Sequence, residues 1–139
     1  MPLTSNKTMT PLEHCQQLAE QDPNIEVLWL YGSQAKGTAT AHSDYDLAVA
    51  FKHIKEDALE QRLVPILLAQ QWADELGVED KKISIADINH IPLPLAQEII
   101  QTGKVIHCKN GLRLAKEENR ISGMWADYLI REQHNGHGL

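Results

Sequence analysis

Leu28-Trp29-Leu30-Tyr31-Gly32-Ser33 is followed, ten residues later, by Asp44-Tyr45-Asp46-Leu47-Ala48-Val49. The first segment is an apolar run that stops at Gly-Ser. The second is a pair of aspartates one residue apart, leading into another apolar run. Read physically, a buried strand delivers a turn, a short helix or loop covers Gln34 to His42, and a second strand carries the carboxylates. Residues i and i+2 of a strand share a face, so Asp44 and Asp46 project together. Carboxylates that close repel unless a cation lies between them, and paired hard oxygens suit Mg²⁺. Gly32 lets the backbone approach a ligand closely. A helix starting at Ser33 would turn free N–H groups and a hydroxyl toward an anion. Phosphate on one side and Mg²⁺ on the other describe a nucleoside triphosphate site. Alone, Gly-Ser is a common turn and Asp-x-Asp is often a solvated loop or a cap. Their order, and their junction with two apolar strands, sets this pair apart.

Outward from this centre, helical and strand patterns alternate. Thr10-Pro11 reads as an N-cap with Pro at the first helical position, and Leu12, Cys15, Leu18 and Ala19 recur on one helical face. Ile25 to Tyr31 and Asp46 to Phe51 are the first two strands. Glu56 to Leu76 is predicted as a helix whose core stripe is Leu59, Leu63, Ile66, Leu67, Gln70 and Ala73, kinked or split at Pro65 and ended by Gly77. Lys82 to Ile88 is a third strand, Leu93 to Thr102 a helix stopped by Gly103, and Lys104 to Lys109 a fourth strand. Glu117 to Glu132 reads as a last helix with Ile121, Met124, Trp125, Tyr128 and Leu129 as its apolar face. Met1 to Thr10 and the Gly- and His-rich stretch Gln133 to Leu139 are predicted to be loose. This is an α/β (α+β) pattern: a small mixed twisted sheet with helices mainly on one side.

The chain has 139 residues and a formal net charge of −6. That length suits one domain, with its core at about 25–109 and a C-terminal helix at about 117–132. The acidic balance argues against direct nucleic-acid binding. No apolar segment approaches the roughly 20 residues that span a membrane, and no signal peptide is visible. Cys15 and Cys108 match no metal spacing, which fits a reducing compartment, the cytoplasm.

Gly32-Ser33, ten residues, then Asp44-x-Asp46 resembles the G-S-x₁₀-D-x-D signature of the DNA polymerase β-like nucleotidyltransferase superfamily. The wider match, Gly-Ser-Gln-Ala-Lys-Gly to Ser-Asp-Tyr-Asp-Leu-Ala-Val, is similar to the smallest branch, the minimal nucleotidyltransferase (MNT) antitoxins. Lys36 stands where that motif has its second Arg; it meets a phosphate or is a solvated helix lysine. The resemblance runs from about Ile25 to His107 and implies the nucleotidyltransferase fold. The third strand departs from the family. Members often carry V-D-L-V-D-L-N, whose first Asp is a third metal-site carboxylate, whereas this chain reads Ile83-Ser84-Ile85-Ala86-Asp87-Ile88-Asn89. Ser84 takes the carboxylate slot. Asp87 corresponds to the second Asp, a cap or turn residue.

The resemblance implies AMP transfer from ATP. Asp44 and Asp46 are the expected catalytic and Mg²⁺-binding residues, and Gly32 and Ser33 the expected nucleotide-binding ones. It also implies a HEPN-family ribonuclease toxin as partner in a hetero-oligomer, with a toxin tyrosine as acceptor. Two other readings stay open: an antitoxin that binds nucleotide without catalysis and acts by complex formation, and a small-molecule nucleotidyltransferase. Arg131 and His137 match the R-x₄₋₆-H spacing of HEPN proteins only by coincidence. His134 and His137 are read as terminal histidines rather than ligands.

Overall fold

The computed structural model describes residues 9–40 and 43–137. Of the stretch Met1 to Thr10 that is expected to be loose, residues 1–8 lie outside the described residues and Thr10 is the N-cap of the first helix. The elements are α1 (Pro11–Gln21), β1 (Ile25–Tyr31), α2 (Gly32–Lys36), β2 (Tyr45–Phe51) and α3 (Ala58–Leu76), then a 3₁₀ turn (Asp80–Lys82), β3 (Ile83–Asp87), α4 (Leu93–Thr102), β4 (Lys104–Cys108) and α5 (Gly111–His137). The sheet order is β3-β2-β1-β4. β1 runs antiparallel to β2 and β4, while β2 and β3 are parallel. The fold is therefore mixed α/β with a mixed four-stranded sheet, as the alternation of patterns predicts.

Local chemistry sets the helix ends. Thr10 Oγ1 accepts from Glu13 N at 3.1 Å and Thr10 N donates to Glu13 Oε1 at 2.8 Å, a reciprocal capping box. Asp57 Oδ1 accepts from Leu59 N and Glu60 N to start α3, and Gly77, at φ 72°, ends it. Asn110 Oδ1 accepts from Arg113 N at 3.0 Å, so α5 starts six residues before the expected Glu117. It also continues through the predicted loose stretch to His137.

The helices cover both faces of the sheet rather than mainly one. Leu28, Leu30, Leu47, Val49 and Phe51 pack with Cys15 and Ala19 of α1 and Leu68 and Trp72 of α3. Val27, Trp29, Ala48 and Ala50 pack with Ala96 and Ile99 of α4 and Ile121 of α5. Burial on both faces explains why β1 and β2 read as continuous apolar runs instead of alternating ones.

Two expected stripes are corrected. On α3 the buried residues are Gln61, Pro65, Leu68, Ala69, Trp72 and Ala73. Of the predicted core stripe only Ala73 is buried; Leu59, Leu63, Ile66 and Leu67 are 65, 43, 51 and 58 % exposed. α3 carries apolar residues around most of its girth, so periodicity alone picks the wrong side. The helix also continues through Pro65, with the proline ring buried in the sheet-facing stripe. On α5, Ile121 is buried but Met124, Tyr128 and Leu129 are exposed, because the helix has run past the body it packs on. Trp125 and Tyr128 stack with ring centroids 5.1 Å apart.

α5 is fixed at one end of the sheet by ion pairs. Arg113 bonds Glu26 Oε1 (3.0 Å), the Phe51 carbonyl (2.8 Å), Asn89 Oδ1 (2.7 Å) and Glu117 Oε2 (2.8 Å). Arg120 Nε donates to Glu117 Oε1 at 2.9 Å. Burial works to raise the Glu117 pKa, but hydrogen bonds from Arg113, Asn89 and Arg120 outweigh it and hold the carboxyl below its ordinary range.

Candidate active site

The opposite end of the sheet, where β1 finishes and β2 begins, brings the sequence-predicted residues together. Asp46 is paired across β1 with Tyr31 and across β3 with Ser84. Tyr31 is followed directly by Gly32, which opens α2. Gly32 sits at φ +72°, a conformation that disfavours side chains. A Cβ built on it would lie 2.5 Å from Asp46 Oδ2. The glycine thus lets the β1–α2 turn close directly over the Asp46 carboxylate. Tyr31, at the N-cap position, makes no side-chain capping bond to α2. Gly37, at φ 76°, ends this single turn of helix.

Asp44 is exposed just ahead of β2, and Asp46 is partly buried within it. Ser43 holds the approach: its N donates to the Thr40 carbonyl at 3.1 Å, and its Oγ accepts from Thr40 N at 2.9 Å. Ala41 and His42 lie outside the described residues. Burial first, and then the Asp44 charge, push the Asp46 carboxyl above its ordinary pKa. Among the described residues no basic side chain forms an ion pair with either aspartate.

This donor set fits Mg²⁺. A partly buried carboxylate with a second one close by gains from a dication, and Mg²⁺ is commonly held by one or two carboxylates plus substrate phosphates. Among the described residues no three His, Cys, Asp or Glu side chains gather as a metal cage.

Ser84 stands beside Asp46 on the neighbouring strand, in the position that the sequence alignment gives it. Asp87 is remote, paired across β2 with Val49. It is buried and fully engaged: Oδ1 accepts from Asn89 N at 3.0 Å, Oδ2 accepts from Gln61 Nε2 at 2.8 Å, and His90 Nδ1 lies 2.8 Å from Oδ2. It shapes the turn after β3. Lys36 pairs with Glu98 of α4 at 3.4 Å, so the lysine has an acidic partner instead of being free in solvent. Two neighbours escape the sequence reading. Tyr31 is pushed above its ordinary pKa by burial, then by Asp46 and Glu98. Its position just before Gly-Ser is a usable signal. Glu98 lies about fifty residues away on a helix, and nothing in the sequence connects it to the site.

The polymerase β nucleotidyltransferase family model matches residues 13–111. The chain is 27 % identical over 111 residues to the protein adenylyltransferase MntA of Aphanizomenon flos-aquae, a match covering 76 % of this chain and 71 % of that protein. It is 29 % identical over 87 residues to the protein adenylyltransferase MntA of Shewanella oneidensis, covering 63 % and 57 %. Among solved structures, a toxin–antitoxin complex with AMP-PNP contains a chain that superposes with a TM-score of 0.70 at 20 % identity, covering 88 % of this chain and 93 % of that one. A tri-AMPylated Shewanella oneidensis HEPN toxin in complex with its MNT antitoxin gives 0.59 at 20 % identity, with 86 % and 93 % covered; these structural likenesses establish a shared fold. The Gly-Ser turn closed over Asp46 and the family match over residues 13–111 lead to one conclusion: the chain belongs to the polymerase β-like nucleotidyltransferase family.

Proposed function

We propose that this chain is an antitoxin that transfers AMP from ATP to a tyrosine of a HEPN-family ribonuclease and so neutralises it. The observation that carries the reading is the closure of Gly32 over Asp46, with Asp44 close enough to raise its pKa. The names of the curated relatives, protein adenylyltransferases, supply the reaction class. The HEPN toxin found AMPylated in complex with a structurally similar antitoxin supplies the acceptor class, and the AMP-PNP complex the nucleotide. No described helix is long and apolar enough to cross a membrane; the cytoplasm is the proposed compartment, and the chain is proposed to act as one domain.

In this reading Asp44 and Asp46 hold Mg²⁺, which, when bound, neutralises triphosphate charge and polarises the phosphoryl oxygens. Gly32 lets the β1–α2 turn sit against the Asp46 carboxylate, where a side chain would collide, and so sets the phosphate-binding turn beside the metal-binding pair. The Ser33 hydroxyl and the N–H groups that open α2 donate to phosphate oxygens. An acceptor tyrosine hydroxyl attacks the α-phosphorus. A new phosphorus–oxygen bond to tyrosine forms, the bond to the β-phosphate oxygen breaks, pyrophosphate departs and the phenolic proton passes to solvent. The added phosphate places negative charge where the ribonuclease must bind RNA phosphates, and like-charge repulsion blocks its substrate.

Ser84, in register with Asp46, favours a second reading, because it leaves the pair without a third carboxylate. The chain would then bind nucleotide and inhibit by complex formation. Intact-mass analysis of a HEPN toxin incubated with this protein, ATP and Mg²⁺ separates the two. Transfer adds one AMP mass or a small multiple, and inhibition outlasts separation of the chains. An unmodified toxin inhibited only while bound establishes the second reading.

A further inference from the structure

Side chains alternate along the strands. Trp29 and Ala48 face α4 and α5, while Leu30 and Leu47 face α1 and α3. Tyr31 and Asp46 therefore lie on the α4/α5 side of the sheet. α4 runs back along that side to the site: the chain leaves it at Thr102 and enters β4 at Lys104, opposite Leu30. Glu98 lies about one turn before the end of α4. It reaches two groups of the site. Its charge joins that of Asp46 in raising the Tyr31 pKa, and its Oε2 lies 3.4 Å from Lys36 Nζ.

Lys36 is placed by α2. Gly32, the first residue of that helix, stands against the Asp46 carboxylate. Residues four apart lie on one side of a helix. Lys36 thus emerges one turn along, on the side of α2 that Gly32 turns to Asp46, with its Cα–Cβ bond tilted back toward Gly32. A lysine there has two kinds of acidic neighbour, the site aspartates and Glu98. It pairs with Glu98, and neither aspartate has an ion pair among the described residues.

The pair is loose. Its side chains are 47 and 45 % exposed, and an ion pair so exposed contributes little to stability and is weakened by salt. The Arg113–Glu117 pair, by contrast, is buried at the other end of the sheet. A partner such as Glu98 holds the lysine in place yet yields it to an anion of higher charge.

We propose that Glu98 is a specificity-determining residue of the nucleotide site: Lys36 exchanges Glu98 for a phosphate oxygen of the nucleoside triphosphate, and Glu98 takes the lysine back as pyrophosphate leaves. The inference rests on the proposed function and adds to it a residue that selects by ligand charge. A triphosphate or pyrophosphate draws Lys36 away from the carboxylate. AMP, with a single phosphate, competes poorly for it. Glu98 thereby weakens the hold on pyrophosphate, the leaving product, as much as the hold on ATP.

The test measures binding of ATP, pyrophosphate and AMP to the full chain with Mg²⁺ by titration calorimetry. It compares wild type, Glu98→Gln, Lys36→Met and the double variant. Both positions are about half exposed, so the variants fold, which thermal melting checks. Glu98→Gln is expected to tighten ATP and pyrophosphate binding about two- to fivefold, the strength of an exposed ion pair, and to leave AMP binding unchanged. The gain should shrink as salt is raised. Lys36→Met is expected to weaken ATP and pyrophosphate binding about tenfold, and adding Glu98→Gln to it should change nothing further. Equal tightening by Glu98→Gln with and without Lys36 overturns the exchange, because Glu98 would then act only as a nearby negative charge. Unchanged or weaker ATP binding by Glu98→Gln overturns it too. Either result, with a wild type that binds ATP and modifies the toxin, leaves the proposed function standing. A wild-type chain that binds no ATP overturns both.

Discussion

At the end of the sheet where β1 starts and β2 and β3 finish, Glu26 and Glu117 share Arg113, and Glu117 also receives Arg120 and Asn89. At the other end, Asp44 lies close enough to Asp46 to raise its pKa, and neither has an ion-pairing cation among the described residues. The pKa directions follow: Glu117 is held down and Asp46 is pushed up. The same fold thus builds one acidic cluster that is neutralised from within and one that is left for something from outside. The first ties α5 to three strand ends and is structural. The second keeps a like-charge repulsion that a bound cation would relieve. A buried acid therefore signals function only when its neighbourhood fails to complete it.

Four substitutions sharpen or break that contrast. Asp44→Asn with Asp46→Asn is expected to lower AMP transfer about 10³-fold or more, as loss of the groups organising phosphoryl-transfer charge does. Its circular dichroism spectrum should match wild type. Arg113→Ala is expected to act in the opposite sense. It leaves the buried Glu117 to Arg120 and Asn89 alone and lowers stability by about 3 kcal/mol, the cost of breaking one side of a buried ion pair. Urea unfolding measures this, and transfer per folded molecule should stay near wild type. If transfer falls much further than the folded fraction, the two ends are not separable.

Gly32→Ala tests the closure. It forces φ +72° on a residue with a Cβ and drives that Cβ against Asp46 Oδ2. The expectation is a stability loss of about 1 kcal/mol with a drop in transfer of about 10- to 100-fold. Unchanged kinetics would mean that the turn and the carboxylate do not act together. The smallest effect concerns pH. A carboxyl whose folded pKa lies above its unfolded value makes the folded state bind more protons between the two, so stability declines as pH rises through that window. Asp46→Asn removes that penalty. Without Mg²⁺ its melting temperature should exceed wild type at neutral pH, and the difference should shrink as pH falls below the carboxylate range. Mg²⁺ should raise the wild-type melting temperature more than that of the variant. Equal melting curves at all pH values would remove the stored repulsion from the account.

Much of this was legible in the sequence because the determining signals are local. Gly-Ser at a strand end and Asp-x-Asp at a strand start are each read within a few residues, and Thr10 and Gly77 mark helix ends directly. What escaped depends on the tertiary arrangement. α3 has apolar residues on nearly every side, so its pattern cannot say whether Leu63 or Leu68 faces the sheet. The cap at Asn110 precedes a charged turn whose arginine and glutamate look solvated in the sequence, yet Arg113 and Glu117 are buried as partners. Glu98 reaches the site only because α4 returns along the sheet toward α2. Helices on both faces, rather than mainly one, are already implied by the unbroken apolar runs of β1 and β2. That inference requires knowing that both strands are central.

The most direct test places wild type and the Asp44→Asn/Asp46→Asn variant side by side with a HEPN toxin, ATP and Mg²⁺, and reads the toxin by intact-mass spectrometry. The account expects toxin carrying one AMP or a small multiple with wild type, and unmodified toxin with the variant even when the two chains still associate. Equal modification by both proteins would contradict it, because the acidic pair left incomplete by the fold would then not be where the chemistry occurs.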